Sequence, residues 1–474
     1  MTTYYPVIGL EVHAEINTKS KMFCRCANDP FASEANTHIC PVCTGQPGAL
    51  PYVNFEAVRK VLQMGVALEA ELAHFTEFDR KNYFYPDMPK AYQISQYKYP
   101  LVSGGKLKNI DITRIHLEED TATSNHDGEH SLVDFNRSGV PLMELVTEPV
   151  IHTAEQASEF ARELQLLIRT LGIGGANLER GEMRIEANIS LTTDPERRKE
   201  NFNPAVEIKN LNSFRIVEQA IEYEINRQTE LYNSGGVQIK ETRGWDEQKQ
   251  ETFSQRVKET ADDYRYFPDP DIPKYQLDEI PEFDHQQIEA SLPELPWHKR
   301  NRYLEYNLPE ETVEYFVRTP QSDVLFSTAL MNESTDFARK LANYIVSDLA
   351  GLDADDEIVG KWENISAQAM HELIAMNEAG ELSSRGTKDV LLHMYQNGGE
   401  ARNIALKQNL IQQNDEGSMQ ALVEDIINDN PKQFEQFKAG EEKLIGFFVG
   451  QAMKKSGGSA NPQILTKILK EKVQ

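Results

Sequence analysis

From Val7 to Ile16 apolar and polar positions alternate strictly, and a strand's period of two turns such alternation into two chemically different faces. Ile8, Leu10, Val12, Ala14 and Ile16 are expected to face a core. Glu11, His13 and Glu15 then stand in a row on the other side. A second strand, expected over 112–120, ends in three consecutive acids, Glu118, Glu119 and Asp120. Charges of one sign packed this closely repel unless a cation compensates them. After the turn at 137–141, a further carboxylate, Glu144, falls within the apolar run 140–146.

Between 153 and 172 the period becomes helical, with Ala157, Phe160, Ala161, Leu164, Leu167, Ile168 and Leu171 on one stripe. Thr153 and Gln156 form a capping box, and Gly172 supplies the stop. A second helix is expected over 212–232, with Phe214, Val217, Ile221 and Ile225 inward. Strand-like stretches such as 184–191 interleave with these helices. The N-terminal part therefore reads as α+β with a mainly antiparallel sheet.

Two prolines, Pro293 and Pro296, interrupt the pattern, and from His298 onward the periodicity is helical with almost no strand signal. This places an α+β domain at 1–292 and an all-helical domain at 293–406. Asn397-Gly398-Gly399 and the polar run Gln412-Gln413-Asn414-Asp415 suggest another joint, leaving a small helical tail domain at 407–474. In that tail an apolar helix carries Leu444, Ile445, Phe447, Phe448, Val449 and Met453. Gly457-Gly458 follows it, and Asn461-Pro462 caps and starts the last helix.

Composition narrows the class. With 474 residues, 39% hydrophobic and 26% charged, the chain fits a soluble globular protein of several domains. No stretch approaches the roughly 20 apolar residues of a membrane helix, and the N-terminus lacks a secretion signal, so no membrane partner and a cytoplasmic location are expected. The net charge of −26 repels nucleic acid at long range. From Lys438 to the end, however, seven lysines face three acids, a local +4 on an otherwise acidic body. Lys443, Lys454 and Lys455 are its candidates for phosphate contact, against the plainer reading of a solvated helix surface.

All four cysteines, Cys24, Cys26, Cys40 and Cys43, fall in one short window. Paired close-spaced thiols in a chain without a secretion signal read as a tetrahedral Zn²⁺ site with a structural role, because four protein ligands leave no open position for chemistry. Two incidental reduced pairs are the alternative. Glu11, His13, Glu118, Glu119 and Glu144, from three separated segments, form a hard-ligand set suited to Mg²⁺ or Mn²⁺. Such a cation commonly serves phosphates, and ATP-dependent activation of a carboxylate needs one because both reactants are anionic. Neither a P-loop nor a kinase-type glycine loop is present, so a nucleotide site must be of the carboxylate-lined kind.

Aromatic and basic residues interleave at 79–97 and again at 261–270. Lys81, Tyr83, Tyr85, Lys90 and Tyr92, with Arg184 and Asn188 on the strand at 184–191, are candidates for holding a nucleotide or an RNA 3′ end, since aromatics stack on bases and cations hold phosphate. A tyrosine-rich packing loop is the alternative.

The segments 7–13, 81–97, 116–120, 134–148, 207–214, 241–246, 263–268 and 446–462, in this order, resemble the B subunit of the heterotrimeric aspartyl/glutamyl-tRNA amidotransferases along essentially the whole chain. The resemblance implies a glutamine-synthetase-like cradle that uses ATP and Mg²⁺ to phosphorylate the side-chain carboxylate of Glu-tRNA(Gln) or Asp-tRNA(Asn). Ammonia then attacks the acyl phosphate. Glu11, His13, Glu119 and Glu144 match the family's metal-binding, catalytic positions, with Glu118 as a neighbour. It further implies an amidase A subunit that supplies ammonia, a small C subunit, zinc on the paired cysteines and a tail that holds the tRNA body. This chain itself shows no amidase signature. Two positions depart from the family: Thr121-Ala122-Thr123 stands where Ala-Gly-Lys is common, and Glu186 where an aspartate is common. Two rivals remain at this level. One is a ligase for a free amino acid, disfavoured by the long helical half. The other is a non-catalytic RNA-binding or assembly module, disfavoured by the carboxylates on three strands.

Overall fold

A computed structural model of the chain describes residues 2–31, 34–257, 261–412, 415–456 and 460–472. Gln413-Asn414 and Gly457-Gly458 lie outside the described residues. The chain divides into two compact units, Met1–Pro296 and Trp297–Gln474. Among the described residues no helix is long and apolar enough to cross a membrane.

The first unit is built on a ten-stranded sheet. Seven strands matter here: β1 (Tyr5–Glu15), β2 (Ile110–Glu119), β3 (Pro141–Thr147), β4 (Met183–Thr192), β5 (Val206–Leu211), β6 (Glu241–Asp246) and β7 (Glu251–Val257). They lie in the order β7-β6-β5-β4-β1-β3-β2, antiparallel throughout except for the β5/β6 pair. The alternation of β1 is realised as expected. Ile8, Leu10, Val12 and Ala14 are buried on one face, level with Ile185, Ala187 and Ile189 of β4 and Met143 and Leu145 of β3. Three helices accompany the sheet: α1 (Phe55–Ala67) along β2, α2 (Ala154–Thr170), and α3 (Phe214–Asn233), which packs on β4, β5 and β7 and against α2.

The caps follow the sequence, with one difference. Thr153 accepts from the Gln156 amide, but the Gln156 carboxamide reaches one residue further back, to the His152 amide at 2.9 Å. Along α3, Val217 and Ile221 are buried, whereas Phe214 and Ile225 are only half-buried. Fully buried Glu224 and Gln228 share the inner face. Arg227 and Thr252 satisfy Glu224, with Arg227 Nη2 at 2.6 Å, Thr252 Oγ1 at 2.9 Å, and Gln228 Nε2 at 2.9 Å, so a charge occupies what hydrophobic spacing alone would fill with aliphatics.

Among its described residues the second unit is helical apart from one isolated bridge, Leu382 to Ile411. Gly398, at φ 71°, is a turn between packed helices, since the helix Ala401–Lys407 returns against Ser384–Asn397. Residues of the tail assemble an apolar core of their own, from Met419, Val423 and Ile426 through Phe434, Phe437 and Phe448 to Leu465, Ile468 and Leu469. Near the unit's start, Asp323 fastens the helix Pro320–Leu330 to Pro296–Leu304. Lys299 Nζ at 2.6 Å, Arg302 Nη2 at 2.8 Å and the Tyr303 hydroxyl at 2.5 Å converge on its carboxylate. Burial pushes this carboxyl up, but the three donors outweigh it and hold it below its usual range. Asp323→Asn is expected to destabilise the unit by about 2 kcal/mol, less than for a wholly buried pair because both cations reach solvent. The depressed carboxyl contributes stability above its unfolded pKa and loses it as pH falls, so the gap between wild type and variant should close below about pH 4. Thermal unfolding at neutral and acidic pH checks both; an equal gap at each pH excludes the ionic account.

Candidate active site and metal centres

Cross-strand register assembles the site. His13 of β1 pairs with Glu144 of β3 and with Arg184 of β4, and Glu144 pairs in turn with His116 of β2. Directly opposed residues project from the same face, so Arg184, His13, Glu144 and His116 form one row across four strands. Glu11 stands opposite Glu186 in the next row. A cavity of about 520 Å³ opens over this face, lined by both rows together with Glu118, Asp120, Glu207 and Lys209.

Two groups of potential metal ligands result: His13, Glu118 and Glu144, and beside them Glu11, Glu186 and Glu207. His13 Nε2 lies 3.5 Å from Glu118 Oε1 and 3.4 Å from Glu144 Oε2, and His116 Nε2 lies 3.2 Å from that same Glu144 oxygen. Burial alone would lower the His13 pKa, but the hydrogen bond to Glu144 and the charges of Glu144 and Glu118 lift it to about 9. Burial raises the Glu144 carboxyl, yet the two imidazoles outweigh it and hold Glu144 well below the usual carboxylate range. In the second group Lys209 Nζ bonds both Glu186 oxygens, at 2.9 and 2.8 Å, Asn188 donates to Glu11 at 2.8 Å and Thr242 to Glu207 at 2.6 Å. Both groups are oxygen-rich, as a hard divalent cation requires.

Glu119 is placed apart from the other candidate ligands. Period two puts Glu118 and Asp120 on the cavity face and Glu119 on the other, where it is buried, ion-paired with Lys90 and bonded by the Ile94 amide at 2.9 Å. It belongs to neither ligand group. Lys90 is held there by Glu119, and Tyr92 sits under the Arg80 guanidinium, 4.3 Å from it; both lie outside the cavity lining. Tyr85 is exposed and meets Arg256. Arg184 lines the cavity but is held by Asp120 at 2.8 Å; Asn188 lines a neighbouring cavity of about 500 Å³ that shares Glu11 and is walled by Pro149, Phe202 and Pro204. Missed were Glu207 as a ligand candidate and His116 as the second imidazole on Glu144, although both sit in segments that carry the resemblance. Glu186, noted only as a departure, stands directly opposite Glu11 on β1 and, on its other edge, faces the extra residue of a register shift in β5.

The aromatic wall joins two distant segments. Asp79–Asn82 pairs with Tyr92–Ser95 on one side and with Phe267–Pro268 on the other, and the Asn82 carboxamide clamps the Tyr264 and Arg265 carbonyls at 3.0 and 2.9 Å. Tyr83, Tyr264, Tyr266 and Tyr97 thereby line one side of the cavity, with Tyr97 and Tyr266 stacked at 4.4 Å. Lys81 Nζ lies 4.9 Å from the Tyr264 ring centre and faces the carboxylates across the cavity. The charges of Glu118 and Glu144 outweigh the downward effect of burial and raise its pKa.

Away from the cavity, the four cysteine sulfurs lie within 4.8 Å of one another. Cys40 Sγ to Cys43 Sγ is 3.8 Å, the edge of a tetrahedron whose bonds are about 2.3 Å, the Zn–S length. In the tail Lys443 and Lys454 are exposed, whereas Lys455 is held by Asp425 at 2.9 Å and Asp429 at 3.0 Å.

A family model for the GatB/GatE catalytic domain matches residues 6–280, and one for the GatB domain matches residues 325–473. The chain is 40% identical over 499 residues to the B subunit of an aspartyl/glutamyl-tRNA(Asn/Gln) amidotransferase of Gloeothece citriformis, covering 100% of this chain and 98% of that one. It is 41% identical to the corresponding protein of Persephonella marina, covering 99% of each chain, and 43% identical to that of Halorhodospira halophila, covering 98% of each.

Proposed function

Because this chain belongs to the GatB/GatE family, we propose that it is the carboxylate-activating, tRNA-handling B subunit of a glutamine-dependent amidotransferase acting on Glu-tRNA(Gln) or Asp-tRNA(Asn). The observation carrying this reading is the cross-strand row of His13, Glu144 and His116 with Glu118 beside it, facing a tyrosine and lysine wall across one cavity. A cradle of the glutamine-synthetase kind needs a floor that binds cations and a wall that receives the acceptor end, and the two sides of this cavity have those chemistries.

In this reading His13, Glu118 and Glu144 hold one Mg²⁺ and Glu11, Glu186 and Glu207 offer a second set; the cation neutralises the phosphates of ATP and so lets two anions meet. The apolar cavity beside Glu11 suits the nucleotide base. The tyrosines stack on the splayed bases of the acceptor end, and Lys81 faces the substrate's anionic groups. The side-chain carboxylate attacks the γ-phosphorus with ADP as leaving group. Ammonia then attacks the acyl carbon, inorganic phosphate departs, and the surplus proton passes to a carboxylate of the cavity. Ammonia comes from the amidase A subunit, with the small C subunit completing a heterotrimer. The four thiols hold a structural Zn²⁺, exposed tail lysines contact the tRNA body, and the whole works in the cytoplasm with translation.

The test is amidation of each mischarged tRNA by the chain co-purified with its A and C partners, given ATP, Mg²⁺ and ammonium chloride. Gln-tRNA or Asn-tRNA is expected to form, dependent on ATP. No product from an intact complex with excess ammonia would sink the catalytic reading.

A further inference from the structure

Lys21 is completely buried, yet it serves no part of the cavity chemistry. Its ammonium donates to the carbonyls of His38 at 2.8 Å and Phe135 at 3.1 Å, and its third direction points to Cys43 Sγ at 3.9 Å. Among the described residues no carboxylate pairs with it. A buried ammonium costs several kcal/mol without an opposing charge, and two carbonyls supply dipoles only. Neutral thiols would leave that cost standing. Four thiolates around a divalent cation carry a net charge of −2, which the lysine brings to −1.

We propose that Lys21 is the built-in countercation of a metal–tetrathiolate centre, and that through it the centre is fastened to the chain beneath the cavity's acidic strand end. This rests on the cysteines holding zinc and extends that reading to a residue outside the ligands. The fastening is continuous. Phe135, which Lys21 holds, opens the turn to Gly139; Ser138 Oγ donates to the Cys43 carbonyl at 3.1 Å, and the Met22 amide donates to the Gly139 carbonyl at 2.7 Å. Gly139 and Val140 in turn bracket Asp120, through Gly139 N to Asp120 O at 2.9 Å and Asp120 N to Val140 O at 2.8 Å. On the same loop Gly45 lies so close to Lys90 that a Cβ there would collide with its side chain, and Lys90 pairs with Glu119. The metal lobe therefore abuts the 118–120 strand end from two directions, and Lys21 sets the charge balance that lets it do so.

The experiment uses the full chain co-purified with its partners, as wild type, K21M and K21R, each loaded with zinc or cobalt(II) after reduction. Zinc affinity is read by chelator competition and the sulfur-to-cobalt charge-transfer band by absorption. Wild type is expected to bind one metal at the cysteines. K21M should bind it at least about tenfold more weakly, the scale on which groups outside the ligand shell act, with a shifted band, and K21R should stay within about threefold of wild type. K21M matching wild type in both affinity and band overturns the countercharge role and leaves the zinc reading intact. A tenfold loss in K21R overturns it too, even where K21M does not fold. A reduced wild type that binds neither metal removes the zinc reading and this inference together.

Discussion

Replacing Glu144 by Gln is expected to lower ATP-dependent amidation of mischarged tRNA by about 10³-fold or more, while the complex still assembles and the partner amidase still hydrolyses glutamine. Glu144 Oε2 is the atom on which His13 and His116 converge, so the substitution removes the one anion of the central row and leaves two imidazoles without their acceptor. A cation that loses a charged ligand here loses the means of bringing two anions together, an effect of several kcal/mol, and about 4 kcal/mol corresponds to a thousandfold in rate. Glu118→Gln should behave similarly. Glu119→Gln provides the contrast, since its carboxylate faces Lys90 and not the cavity. It is expected to reduce stability before it reduces the chemical step. Single-turnover amidation with saturating ATP and ammonium chloride, alongside thermal unfolding, separates the two. Full activity in Glu144→Gln would remove the metal assignment, and a purely chemical defect in Glu119→Gln would return that residue to the site.

The second large effect concerns the tail. Deleting residues 415–474 is expected to raise the KM for tRNA by about 100-fold, roughly 2.7 kcal/mol of lost binding, with little change in ammonia-dependent turnover at saturating tRNA. The segment carries its own apolar core, so its removal takes away a folded surface together with the interior that supports it. Charge reversal at Lys443 or Lys454 should reproduce part of the loss and flatten the salt dependence of binding by about one unit for each phosphate contact removed. Lys455→Glu should do less, because Asp425 and Asp429 already neutralise that ammonium. An unchanged KM across the deletion would assign tRNA binding elsewhere.

Much of the site was legible because period two is a strong signal. β1, read alone, placed His13 and Glu11 together on the polar side, and the same parity applied to 118–120 distinguishes Glu118 from Glu119; treating the three acids as one block, or following family positions, hides that distinction. Other features depend on contacts between distant residues. Nothing local announces that Asn82 will hold the Tyr264 and Arg265 carbonyls, so the two tyrosine-rich segments read as separate loops when they form one wall. The register shift in β5 opposite Glu186, beside which Glu207 joins Glu11 and Glu186, arises only when β4 and β5 pair. The inner face of α3 misled for a related reason. Glu224 is buried because Arg227 and Thr252 complete its hydrogen bonds, and Thr252 arrives from a strand far along the chain.

The floor of the cavity lies on β1, β3 and β4, strands paired on both edges, whereas its wall belongs to a three-stranded sheet of short segments. Central strands open last in local unfolding, and short edge structures open first. One half of the cavity is thus stiff and the other compliant. An aspartyl and a glutamyl side chain differ in reach by a single methylene, and a rigid clamp on both sides would suit only one of them. On the function proposed above, a fixed cation-binding face opposite a yielding stacking face would let the longer and the shorter acid each bring a carboxylate to the same point, leaving discrimination between them to the tRNA and not to the fit of the amino acid.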